Sequence, residues 1–116
     1  MTEKSVFSRI IDGEIPSEIL YPDELCFAIR DIAPKAPTHL LLIPRQPIPR
    51  LVDAGAADQA LLGHLMLTAG KIAAAAGIGD AFRVIINNGA GAGQTVFHLH
   101  LHILGNIPMS EQTLGF

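Results

Sequence analysis

Apolar and polar positions alternate along this chain with two different periods, and the changes of period mark out its elements. Ser5 can cap a short helix from Val6 to Asp12, with Phe7, Ile10 and Ile11 along one side and Gly13 ending it. Pro16 forces an extended segment. Ser17 to Tyr21 and Leu25 to Ile29 then read as two strands of a hairpin turned by Pro22-Asp23-Glu24. After a stiff loop, Ala33-Pro34-Lys35-Ala36-Pro37, the run Thr38 to Pro44 is almost continuously apolar, which predicts a central strand. From about Ala57 to Ala76 the period becomes helical: Leu61, Leu62, Leu65, Met66, Ala69, Ile72, Ala73 and Ala76 form one stripe, and Gly77 stops it. Phe82 to Ile86 is a fourth strand, Asn88 to Gly93 a glycine-rich loop, and His98 to Leu104 a fifth strand. Without repeated βαβ units, this order predicts an α+β fold: a five-stranded antiparallel sheet with one short and one long helix packed to one side.

Composition narrows the class. At 116 residues, 49% hydrophobic and 16% charged, the chain is expected to form a single domain over residues 1–116. A net charge of −3 gives no general attraction to nucleic acid or an anionic membrane. The apolar runs are much shorter than a membrane span, and the start lacks a signal peptide's apolar core. One cysteine, Cys26, cannot form an internal disulfide and reads as a small core residue. A cytoplasmic protein is the expectation.

The chemistry concentrates in the fifth strand. Three of the five histidines, His98, His100 and His102, alternate there with Leu99, Leu101 and Ile103. A strand turns successive side chains to opposite faces, so one face carries three imidazoles and the other is apolar, to be buried against the long helix. The loop before it, Asn87 to Thr95, contains three glycines and can form either a hairpin turn or an anion-binding nest of backbone N–H groups. No Gly-Lys-Ser/Thr follows, so it is not a P-loop. Metal ligation is a rival reading. Neighbouring histidines start about 7 Å apart and His98 and His102 about 13 Å apart, too far to converge on one ion from a straight strand, so a closed site would need His39. A purely structural row of satisfied histidines is the other rival. His64 lies off the helix's apolar stripe and reads as a surface residue.

The run Asn87 to His102, with Gln94 and a glycine-rich turn before His-Leu-His-Leu-His, resembles the signature of the histidine triad superfamily. Phe7 to Pro16, Asp31 to His39, Leu42-Ile43-Pro44 and Leu62 to Met66 resemble its HINT branch, so the likeness covers most of the chain. It implies a HIT-like fold paired into a homodimer with a ten-stranded sheet, and a phosphoramidase that hydrolyses purine nucleoside 5′-phosphoramidates and related adenylylated amines without cofactor or metal. His100 would be the nucleophile on the α-phosphorus and His98 would orient it; His102 and His39 would contact phosphate oxygens. Thr95 stands where the branch commonly has serine, and its hydroxyl would meet the leaving nitrogen or a phosphate oxygen. The resemblance also assigns nucleotide binding to Asn87, Gln94 and the Val96 N–H, ribose binding to Asp31, and an apolar base slot to Ile32, Phe7, Ile10 and Ile15. The ligand implied is a purine nucleotide of AMP type. Two alternatives stay open: a nucleotide-binding module with little catalysis, and a histidine-ligated metalloprotein. The tail departs from the branch: Ile107 to Phe116 has no tryptophan, and Arg30 stands where histidine is common.

Overall fold

The computed structural model describes residues 4–114; Met1, Thr2 and Glu3 at the start and Gly115 and Phe116 of the divergent tail lie outside the described residues. Helix α1 (Val6–Ile11) begins where Ser5 accepts the Ser8 N–H and ends at Asp12, before Gly13 at φ +76°. Strands β1 (Cys26–Arg30), β2 (Thr38–Pro44), β3 (Phe82–Ile85) and β4 (Leu101–Gly105) form one antiparallel sheet in the order β1-β2-β4-β3. Helix α2 (Gln59–Ala75) joins β2 to β3 after a short 3-10 turn at Ala56–Asp58. No helix among the described residues is long and apolar enough to cross a membrane.

The expected central strand is present with its expected bounds, flanked by β1 and β4. Four expectations need correction. The sheet has four strands, because Ser17 to Tyr21 contributes only the bridge between Leu20 and Ala28. The last strand begins at Leu101, leaving His98 and His100 on its lead-in. Pro44 stands where the β2 ladder would continue and has no N–H to give, and the Leu99 N–H donates to the Ile48 carbonyl instead (2.6 Å). Met66 is more than half exposed and is not part of the buried stripe.

The fourth correction concerns the layers. The two helices do not share a side. Leu61, Leu65, Ala69, Ile72 and Ala73 of α2 pack on Leu99, Leu101, Ile103, Leu40 and Leu42, so the apolar alternates of the histidine segment do meet the long helix. Phe7 of α1 packs on the opposite face, with Phe27, Ile29, Leu41 and Ile43. Cys26 is a core residue on the α2 side; burial first of all pushes its thiol up to about 11. At the end of β4, Gly105 touches Ile78 so closely that an added Cβ would lie 2.7 Å from it, and only glycine permits this contact.

Candidate active site

The second face of the sheet holds the histidines. Antiparallel register places His39 opposite Leu104 and Leu41 opposite His102, so His39 and His102 are diagonal neighbours on one face. His39 is buried, His98 has no exposure and His100 is buried, while His102 is part-exposed. Phe7 meets His98 and His100 edge-on, with ring centroids 5.7 and 5.0 Å away.

His98 and His100 are each fixed by a carbonyl that can only accept. The Nδ1 of His100 lies 2.7 Å from the His98 carbonyl oxygen. A carbonyl only accepts, so Nδ1 carries the proton and Nε2 keeps its lone pair. His98 donates from Nε2 to the Pro44 carbonyl at 2.7 Å, and its Nδ1 accepts from the Ser5 hydroxyl at 2.8 Å. The expected orienting of His100 by His98 thus runs through the backbone carbonyl, not the ring. Ser5 caps α1 and ties it to this row, a second role that its position in the sequence does not reveal.

His39 departs from expectation. Its Nδ1 accepts the Lys35 N–H at 3.0 Å, so its proton sits on Nε2 and is donated to Nδ1 of His102 at 2.9 Å. Both nitrogens of His39 are therefore occupied within the protein, and it does not reach out towards a phosphate. It holds His102 instead, leaving His102 with an Nε2–H to offer a ligand. Asp31 also faces this pair: Oδ1 accepts the Ala33 N–H, while Oδ2 lies 3.3 Å from His39 Nε2 and 4.0 Å from His102 Nδ1. Ligand atoms of Asp31, His39 and His102 all lie within 4.8 Å of one another, so this group could hold a metal ion; spacing along the strand pointed to His39 but missed the carboxylate.

Burial above all lowers the pKa of His39, His98 and His100, and it drives His102 down to about 4 with help from neighbouring His100 and His39. The four rings are neutral at pH 7. Neutral imidazole is the form that attacks and the form whose tautomers these hydrogen bonds fix.

Two adjoining cavities share Asp31, Ala33, Thr95 and His102 as walls. One, of about 510 Å³, is lined by Phe7, Ile10, Ile15, Ile32, Val96 and His100. The other, of about 730 Å³, is lined by His39, Asn87, Gly93 and, from the tail, Leu114. Arg83 holds that tail by donating to the Thr113 and Ser110 carbonyls, a restraint the sequence did not signal. Arg30 pairs with Glu18 at the surface.

Gln94 is placed otherwise than expected, and of its two readings the glycine loop takes the turn and not the nest. Gln94 is buried; its carbonyl accepts the Gly89 N–H, and its NH2 donates to the Pro49 and Val96 carbonyls. It braces the loop and faces neither cavity. The N–H groups of Gly89, Ala92, Gly93 and Gln94 are all bonded inside the loop, with Gly89 and Gly93 at φ near +90°, so these donors form a turn and not an open nest. Among the described residues no protein acceptor meets the Val96 N–H.

Comparison with known proteins identifies this architecture. The HIT domain family matches residues 12–109. An uncharacterised HIT-like protein of Synechocystis sp. is 59% identical over 95% of this chain and 96% of its own. The purine nucleoside phosphoramidase of Escherichia coli K12 is 46% identical over 94% of this chain and 92% of its own. The crystal structure of a HIT family hydrolase from Legionella pneumophila superposes with a TM-score of 0.91 at 39% identity, covering 97% of this chain and all of that one.

Proposed function

The chain belongs to the HIT domain family, and from that premise we propose that it is a hydrolase cleaving the P–N bond of purine nucleoside 5′-phosphoramidates and related adenylylated amines. The observation that carries this reading is the His100 ring: its Nδ1–H is anchored on a carbonyl and its Nε2 lone pair borders a cavity with an apolar end. The 46% identity to a purine nucleoside phosphoramidase supports the same substrate class.

In this reading the base lies among Phe7, Ile10, Ile15 and Ile32, and the ribose hydroxyls reach Asp31. His100 Nε2 attacks the α-phosphorus while the P–N bond breaks, and the leaving nitrogen takes a proton from solvent, relayed by the Thr95 hydroxyl, to depart as an amine. Water then attacks phosphorus, the P–Nε2 bond breaks, and nucleoside 5′-monophosphate is released. Two modest displacements replace one difficult one. The Nε2–H of His102, the Val96 N–H, Asn87 and the Thr95 hydroxyl serve the phosphate oxygens and the leaving nitrogen, acting where charge develops. His39 acts one step back, by fixing the tautomer of His102.

A metal centre on Asp31, His39 and His102 is the competing reading, favoured by the proximity of their ligand atoms. Loss of activity to a chelator, restored by one metal, would establish it. A homodimer is also proposed, resting on exposed Met66 and Leu67 on the outer side of α2; sedimentation tests it.

The test is a substrate panel run on wild type and His100→Ala. Hydrolysis of adenosine 5′-phosphoramidate by wild type, falling on the order of 10³-fold or more in a folded His100→Ala, is expected. Tight nucleotide binding with no turnover in wild type would mark a binding module instead.

A further inference from the structure

On the α2 side of the sheet, away from the histidine row, three further side chains of different chemistry converge. Asp23 comes from the turn before β1, Cys26 opens β1, and His64 lies on the second turn of α2. His64 Nε2 lies 2.7 Å from Asp23 Oδ2, Cys26 Sγ lies 3.6 Å from the same oxygen, and all three atoms fall within 4.8 Å of one another. Asp23 is held for this arrangement. Its other oxygen accepts the Leu25 and Cys26 N–H groups at 2.7 and 2.8 Å, and its own N–H donates to the Cys26 carbonyl at 2.9 Å.

The geometry points to a binding site for a borderline-soft divalent cation of the Zn²⁺ type, with Asp23 Oδ2, Cys26 Sγ and His64 Nε2 as ligands. A tetrahedral ion with metal–oxygen and metal–nitrogen bonds near 2.0 Å and a metal–sulfur bond near 2.3 Å spaces its ligand atoms about 3.3–3.6 Å apart. The Sγ–Oδ2 separation already has this value. The Nε2–Oδ2 separation must open by about 0.6 Å, which a small swing of His64 achieves, because that ring is about a third exposed. The donor set is a cysteine that gives up its thiol proton to solvent as the ion binds, an imidazole whose proton moves to Nδ1 so that Nε2 is free to ligate, and a carboxylate; it matches the preferences of zinc and not those of calcium or magnesium, which take oxygen ligands. Asp23 and His64 are both part-exposed, so the ion has an entry path and water supplies the fourth ligand. Outer-sphere support is present too: the two backbone N–H groups on Asp23 Oδ1 fix the carboxylate's direction, as outer-shell bonds do at metal sites. A bound ion here clamps the β1 turn to α2 and stabilises the fold by linkage. It takes no part in chemistry at His100, which lies on the other face.

Metal binding by untagged protein tests this, with Zn²⁺ followed by equilibrium dialysis and Co²⁺ by absorption. One ion per chain is expected, with a thiolate-to-Co²⁺ charge-transfer band and a raised melting temperature. Cys26→Ser should lose the band. His64→Gln, changed at the part-exposed rim, should lose more affinity than the ~10–100-fold that removal of an outer-shell partner costs, with its fold checked by circular dichroism. The double variant His39→Gln/His102→Gln should keep both band and affinity. A Co²⁺-saturated protein without a thiolate band overturns the proposal. So does unchanged affinity in His64→Gln, or loss of binding in the His39/His102 variant, which places the ion at the histidine row. Failure to bind any ion also overturns it, and none of these outcomes bears on turnover by His100.

Discussion

The alternating segment Leu99 to Leu104 presents its two faces to two different kinds of packing. Towards α2, Leu99, Leu101 and Ile103 sit in a core of aliphatic side chains where fit is a matter of volume. Towards α1 and β2, the even-numbered histidines sit in a layer where every ring has a named partner (Pro44 and Ser5 for His98, the His98 carbonyl for His100, His39 for His102), and the Nε2 atoms of His100 and His102 are left for a ligand. The first face supplies cohesion without direction; the second spends its burial on fixing which nitrogen bears a proton. A one-residue shift of this segment would exchange the faces and abolish both.

That contrast predicts that damage on the two faces should be read out differently. The largest effect on stability is expected from Leu101→Ala, which opens a cavity beneath α2 and should cost about 2–5 kcal/mol in urea unfolding. Turnover per folded molecule should remain near wild type; a matching fall in kcat would mean that the faces are not independent. His39→Ala should do the reverse. Removing the donor that sets the His102 tautomer should lower kcat by about 100-fold, with KM little changed. His39→Gln, which can still donate an N–H, should recover part of the loss, and equal rates for the two variants would remove His39 from this role.

A smaller effect follows from His102, whose pKa is about 4 in the fold against 6.5 in the open chain. Above pH 6.5 the ring is neutral in both states and contributes nothing. As pH falls from 6.5 towards 4 the unfolded chain takes up a proton that the native site refuses, so unfolding free energy should decline across that window and level off below it. His102→Asn should flatten this slope in a pH series of chemical denaturation. An unchanged slope would assign it to other groups.

The same contrast explains what could be read from the sequence. Periodicity is a local property, and it located α1, β2 and the apolar side of the histidine segment. It also overstated local order. Ser17 to Tyr21 has strand-forming residues but pairs only through Leu20, and His98 to His100 lies beyond the point where Pro44 interrupts the ladder. Placing both helices on one side failed because Phe7 finds its apolar partners, Phe27 and Ile43, on the face that the helix stripe does not use. At the site, residue identity was legible and residue connection was not. Nine of the expected residues, Phe7, Ile10, Ile15, Asp31, Ile32, Thr95, Val96, His100 and His102, border one cavity. The inward turn of Gln94, the Ser5–His98 bond and the Lys35–His39–His102 chain depend on partners brought together from distant positions, and no spacing rule encodes them.

In the proposed reaction the His100 Nε2 lone pair is the nucleophile. Rapid mixing with adenosine 5′-phosphoramidate, quenching and peptide mass spectrometry tests it most directly. A nucleotidyl group is expected on the peptide containing His100, located to that residue and absent from His100→Ala. Turnover in wild type with no adduct on any time scale sampled, together with undiminished turnover in His100→Ala, would contradict it.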